Sequence, residues 1–121
     1  MIEVKSLVNL LKKNSSNFYT GVPDSVLKEL SFTLRNKGEK NHIIATSEGS
    51  AVSIGIGHYL STKKVPCIYM QNSGLSNALN PLISIAHEKV YSIPLILIIG
   101  WRGSPKIKDE PQHNVKGKIT E

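Results

Sequence analysis

The sequence predicts an open parallel α/β sheet with helices on both faces. Three observations carry that expectation: short apolar runs that read as strands, helical-period stretches between them, and a final run, residues 93–99, that is apolar without a break. Unbroken apolar strands belong to parallel sheets covered on both sides.

In order along the chain, residues 2–14 place Val4, Leu7, Val8, Leu10 and Leu11 at helical spacing with lysines between them, which predicts one buried helix face. Phe18, Tyr19 and Thr20 form a short strand running into Gly21, Val22 and Pro23, and Asp24 or Ser25 is then suited to cap a helix bearing Val26, Leu27, Leu30 and Leu34. Gly38 closes that helix. Ile43, Ile44 and Ala45 predict the next strand, and a helix begins at Glu48, where Ala51, Val52, Ile54, Ile56 and Tyr59 pack inward.

A polar turn at 61–64 leads to the strand 66–70. The turn 71–74 follows, then a helix over 75–87 that Pro81 bends or shortens, then the strand 93–99. After Gly100 the chain turns polar, and residues 100–113 read as a loop lying over a site.

At 121 residues, 40% hydrophobic and 20% charged, the composition is that of a single globular domain. No apolar run nears the roughly 20 residues that span a bilayer, and the first residues lack a secretion-signal pattern, so a cytoplasmic location without membrane contact is expected. Cys67 is the only cysteine and sits inside a strand pattern, which predicts a buried, inert thiol and excludes an internal disulfide. The formal charge of +6 invites a nucleic-acid reading. The lysines are dispersed, however, with no basic stripe interleaved with aromatics, so an anionic small molecule or an acidic partner accounts for the charge equally well and nucleic acid is not expected.

Three strand-ending loops fall at one edge of such a sheet: Gly21 to Ser25, Ser47 to Gly49, and Gln71 to Asn77. Their polar groups converge on one crevice, where open parallel sheets bind ligands. Each loop, taken alone, is also an ordinary turn made of ordinary turn residues. Dinucleotide, phosphate-loop and paired-histidine metal motifs are absent. A hydrolase built on Ser73, His113 and Asp109 is disfavoured, because Ser73 lacks the flanking glycines of a nucleophile elbow. Glu48 is the most informative side chain, since it stands where a strand opens into a helix; helix-end charge complementarity is the plainer explanation for it.

The segments GVPDS, IIATSEGSA, YMQNSGLSNALNPL and SIPLILIIGWRG with KDEPQH resemble the pyrimidine-binding domain of thiamin diphosphate-dependent decarboxylases, in the branch acting on phosphonopyruvate and sulfopyruvate. The likeness extends over residues 18–120. It implies that Glu48 hydrogen-bonds the aminopyrimidine of the cofactor, sharing a proton with ring nitrogen N1′ so that the neighbouring amine becomes a base, within an apolar surround from Ile43, Ile44, Ala51 and Val52. It implies further that Asp24 and His113 act beside the reacting carbon and that Asn72, Ser73, Gly74 and Asn77 approach the cofactor. Ser25, Arg102 and Gln112 would meet the substrate, Arg102 because its planar fork suits a tetrahedral anion; Lys106 and Lys108 are alternatives.

The implied reaction converts phosphonopyruvate to phosphonoacetaldehyde and carbon dioxide, with sulfopyruvate as the alternative 2-oxo acid. Magnesium and the diphosphate would be held by another domain or a beta subunit, because no Gly-Asp-Gly motif occurs here. Residues 1–121 are then expected to be a C-terminally truncated pyrimidine-binding domain, working in a homo- or hetero-oligomer. A non-catalytic remnant of the same fold that only binds a partner is the reading from another class.

Overall fold

The computed structural model describes residues 3–105 and 107–120. Helix α1 (Val4–Lys13) precedes strand β1 (Tyr19–Gly21), helix α2 (Lys28–Leu34) and strand β2 (His42–Ile44). Helix α3 (Glu48–Thr62), strand β3 (Cys67–Gln71), helix α4 (Leu75–Pro81), strand β4 (Ile96–Gly100) and helix α5 (Pro111–Thr120) complete the described chain. All strand pairs are parallel and the order is β2-β1-β3-β4.

Alternation along β3 divides the core in two. Cys67 and Tyr69 face one side, with Val8, Tyr19, Leu30 and Leu34, under α1 and α2. Ile68 and Met70 face the other, with Ala51, Val52, Ile56 and Ala78, under α3 and α4. Helices thus cover both faces, as the apolar pattern predicts. Each fully buried aliphatic side chain in these layers contributes about 1.5–3 kcal/mol relative to exposure.

Several boundaries differ from expectation for physical reasons. Helix α2 starts at Lys28 with Leu27 in the cap position and no side-chain cap, so neither Asp24 nor Ser25 caps it. A short 3-10 turn, Arg35–Lys37, extends it before Gly38, at φ 74°, ends it. Pro81 does alter its helix: the path changes to a π-type turn, Leu82–Ala86, that ends at His87. The last strand begins at Ile96 instead of 93, and it lies at an edge of the sheet with Leu97 exposed, not covered on both faces. Residues 111–120 are helix, so Gln112 and His113 belong to α5 and not to the expected loop.

Cys67 is fully buried, and burial pushes its thiol up to about 11. His42 Nε2 lies 2.8 Å from the Tyr69 hydroxyl, and His58 stacks on Phe18 with ring centroids 4.1 Å apart. Burial lowers the proton affinity of both imidazoles, consistent with structural roles. No helix among the described residues is long and apolar enough to cross a membrane.

Candidate active site

Strand order fixes where a ligand crevice opens. From β1 the chain passes to α2 on one face, and from β3 to α4 on the other, so the loops after these adjacent strands diverge. Such a switch point at the carboxyl ends of parallel strands is the usual binding crevice of open α/β sheets.

Asp24 stands at that point. Released from capping, its Oδ1 accepts a 2.8 Å hydrogen bond from Gln71 Nε2, at the end of β3. Gln71 Oε1 in turn accepts from the Ser73 hydroxyl at 2.7 Å. Asp24 Oδ2 is buried without a hydrogen-bond partner among the described residues, and it occupies the space that a side chain on Gly100 would need. Asp24, Ser25, Lys28, Ser31 and Arg35 line part of a cleft of about 240 Å³ beside it.

Glu48 sits on the far side of the β3 turn. Ser47 caps α3 by accepting from the Ser50 backbone N–H at 3.2 Å, which places Glu48 as the first helical residue. Helices α3 and α4 start side by side, so a Cβ added to Gly49 would come within 2.8 Å of the Asn77 carbonyl oxygen. Across this contact Asn77 Nδ2 donates to Glu48 Oε2 at 3.0 Å. A Cβ on Gly74 would lie 2.5 Å from Glu48 Cδ, so the carboxylate rests directly on the Gly74 backbone. Oε1 has no hydrogen-bond donor among the described residues. The surround differs from the apolar one expected, because Ile43 and Ile44 are exposed on the edge strand β2.

The segment after β4 is strapped across the β3 end. Buried Asn72 donates to the Arg102 carbonyl at 3.0 Å and to Thr120 Oγ1 at 2.9 Å, and accepts from the Arg102 backbone N–H at 3.1 Å. The Arg102 guanidinium forks onto Asp109, with Nε to Oδ2 at 2.7 Å and Nη2 to Oδ1 at 2.6 Å, while Nη1 donates to Ser25 Oγ at 3.2 Å. Asp109 also accepts from the Gly103 and Glu110 backbone N–H groups. The Arg102 hydrogen bonds hold its carboxyl well below the usual carboxylate range, and the same pairing raises Arg102.

The carboxyl edge thus brings together Asp24 and Ser73, through Gln71, with Ser25 and Arg102, the two pairs linked by the Ser25 hydroxyl donating to Asp24 Oδ1 at 3.5 Å, and Glu48, Gly74 and Asn77 in a second set joined to these through residues 73 and 74. His113 lies on α5 with its backbone against Gly103, and its Nδ1 is buried without a partner among the described residues. Gln112 and Lys108 are exposed; Lys106 lies outside the described residues. The hydrolase geometry is not formed, since the Ser73 proton goes to Gln71 and Asp109 is committed to Arg102. Gln71 and Gly100 escape a reading by residue type, although a glutamine closing an apolar strand just before a turn is a signal that could have drawn attention. Among the described residues no group of three His, Cys, Asp or Glu side chains is placed to hold a metal ion.

Fold and site define a parallel α/β domain with two acids, Asp24 and Glu48, at the carboxyl ends of its strands, where the connections part to opposite faces. The chain belongs to the thiamine pyrophosphate enzyme family, matching its N-terminal TPP binding domain over residues 4–120. It is 38% identical over 120 residues to phosphonopyruvate decarboxylase of Streptomyces viridochromogenes, covering 99% of this chain and 30% of that protein. Against the sulfopyruvate decarboxylase alpha subunit of Methanococcus maripaludis it is 38% identical over 96 residues, covering 79% of this chain and 56% of that one. The chain therefore spans well under two thirds of either relative. Among solved structures, benzoylformate decarboxylase from Polynucleobacter necessarius superposes with a TM-score of 0.67 and 27% identity, over 88% of this chain and 19% of that one.

Proposed function

We propose that this chain supplies the pyrimidine side of the active site of a thiamin diphosphate-dependent 2-oxo acid decarboxylase acting on phosphonopyruvate. The observation that carries the reading is the Glu48 carboxylate, which rests on Gly74, is steadied at Oε2 by Asn77, and keeps Oε1 without a donor among the described residues. That donor set fits an aminopyrimidine: a carboxyl oxygen left to share a proton with a ring nitrogen, over a backbone surface that carries no side chain.

When bound, thiamin diphosphate supplies the electron sink that decarboxylation of a 2-oxo acid needs. In this reading Glu48 holds or gives up a proton at Oε1, Asn77 orients it, and Ser73, Gly74 and Asn72 form the near wall. Asp24, with Oδ1 held by Gln71, has a second oxygen, buried over Gly100, to hold a proton near the substrate. Ser25 and Arg102 meet the substrate's anionic group, which requires that group to exchange with Asp109 on the guanidinium fork. His113 and Gln112 approach from α5. Magnesium and the diphosphate belong to a second domain or a beta subunit, so the working enzyme is an oligomer; its cytoplasmic location is part of the same reading.

Similarity to the sulfopyruvate decarboxylase alpha subunit favours a second substrate, sulfopyruvate, whose sulfonate would use the same cation. The test combines the chain with a diphosphate-domain partner, magnesium and cofactor, and follows carbon dioxide release from each 2-oxo acid. Release from phosphonopyruvate that Glu48→Gln abolishes supports the reading, and release from sulfopyruvate alone moves the substrate. Partner binding without release from either acid indicates a non-catalytic remnant.

A further inference from the structure

We propose that Gln71 is the positioning residue that sets the working orientation of Asp24, acting as a two-ended amide clamp between Ser73 and that carboxylate. The inference rests on the reading of the site given above and adds a residue to it.

Three observations carry it. Gln71 closes β3 in register with Gly100 of β4, so its backbone is fixed by the sheet and not by a loop. Its side chain spends both ends on the site: Nε2 donates to Asp24 Oδ1 at 2.8 Å and Oε1 accepts from Ser73 Oγ at 2.7 Å. The carboxylate is then confined from its other side, because Oδ2 fills the space over Gly100 and has no partner of its own among the described residues.

A buried carboxylate oxygen without a donor is costly unless something else supplies one. Here Gln71 holds one oxygen and leaves the other, buried over Gly100, as the place on the carboxyl where a proton can sit. An amide is the group this position needs. Its donor end meets an anion and its acceptor end meets a hydroxyl, whereas a carboxylate would oppose Asp24 and an aliphatic chain would leave Oδ1 only the long contact from the Ser25 hydroxyl at 3.5 Å. The charged groups around Asp24 are Arg102, after β4, and two that line the adjoining cleft, Lys28 of α2 and Arg35 of the 3-10 turn that follows it. All are cations, so Gln71, a neutral amide, adds direction without adding charge.

The experiment has two arms. In the 121-residue chain, the Gln71 side-chain amide is followed by proton–nitrogen NMR. Its resonances should move clearly on Asp24→Ala and move less on Ser73→Ala; resonances unmoved by Asp24→Ala overturn the clamp. In the assembled, cofactor-loaded enzyme, Gln71→Met, similar in volume but unable to hydrogen-bond, should lower kcat roughly a hundredfold while KM for the 2-oxo acid changes far less. Gln71→Glu places a second carboxyl beside Asp24, raises the proton affinity of the pair, and should move the acid limb of the kcat profile to higher pH. A glutamine that only supported the fold would alter stability and leave that limb in place. Wild-type kcat and pH profile in both variants, with Glu48→Gln inactive, overturns the inference and spares the reading of the site. An active Glu48→Gln overturns the reading instead, and the NMR arm still decides whether the clamp exists.

Discussion

Gly74→Ala tests the placement of Glu48 most directly, because backbone conformation is not at issue there. Gly74 lies at φ −81° and ψ −10°, angles that alanine adopts freely, so any effect is steric. The new Cβ would stand 2.5 Å from Glu48 Cδ, against the 3.5–4.0 Å at which carbon atoms rest, so the carboxyl group must retreat by at least about 1 Å. The displaced atoms, Cγ, Cδ and Oε1, belong to a flexible, half-buried side chain that can change rotamer. Folding therefore loses little: one hydrogen bond from Asn77, about 1 kcal/mol or less. A misplacement of that size at a reacting group costs on the order of a hundredfold in rate. The expected outcome is a dissociation, a melting temperature within a few degrees of the parent with carbon dioxide release in the assembled enzyme down roughly a hundredfold. Gly57→Ala is the matching control. It lies in α3 with nothing within 4 Å of an added Cβ, so it should stabilise by about 1 kcal/mol and leave the rate unchanged. Full activity in Gly74→Ala would refute the argument that Glu48 works from the position described.

Two further outcomes concern the strap after β4, which carries Trp101, the one tryptophan of the chain and so a local fluorescence reporter. Asn72→Ala removes three hydrogen bonds to Arg102 and Thr120, and should cost about 2 kcal/mol in urea unfolding and shift Trp101 emission to the red; emission unchanged from the parent would contradict the tether. Because the Asp109 carboxyl is held below its unfolded value of about 3.9, its contribution is fully present above that pH and is lost as pH falls further toward the folded value. An acid titration of Trp101 emission should therefore show strap release below about pH 4, and Asp109→Asn should remove that transition while loosening the strap at neutral pH.

Local pattern alone carried much of the fold. Apolar runs of strand length alternating with helical-period segments define the α/β order, because these periodicities reflect which side of each element faces the core. Pro81 and Gly38 marked their boundaries through their own backbone chemistry. Glu48 was legible as a site candidate because a strand-to-helix junction in a parallel sheet is itself a location. Where the pattern went astray it met competition from partners distant in sequence. Asp24 looked like a helix cap by its neighbours, yet a glutamine 47 residues away takes its oxygen.

Arg102 and Asn72 show the same division. By residue type, the arginine suits an anion and the asparagine suits a ligand-facing turn. The folded chain gives the arginine's fork to Asp109 and buries the asparagine amide against the Arg102 backbone. From the sequence by itself came the class of fold, the edge at which its polar loops gather, and the acid proposed to act there. Only tertiary structure decided which hydrogen-bonding ends remain open, because side-chain pairing depends on strand register and helix contact that bring residues 29 to 47 positions apart within 3.0 Å, and local sequence does not encode those distances.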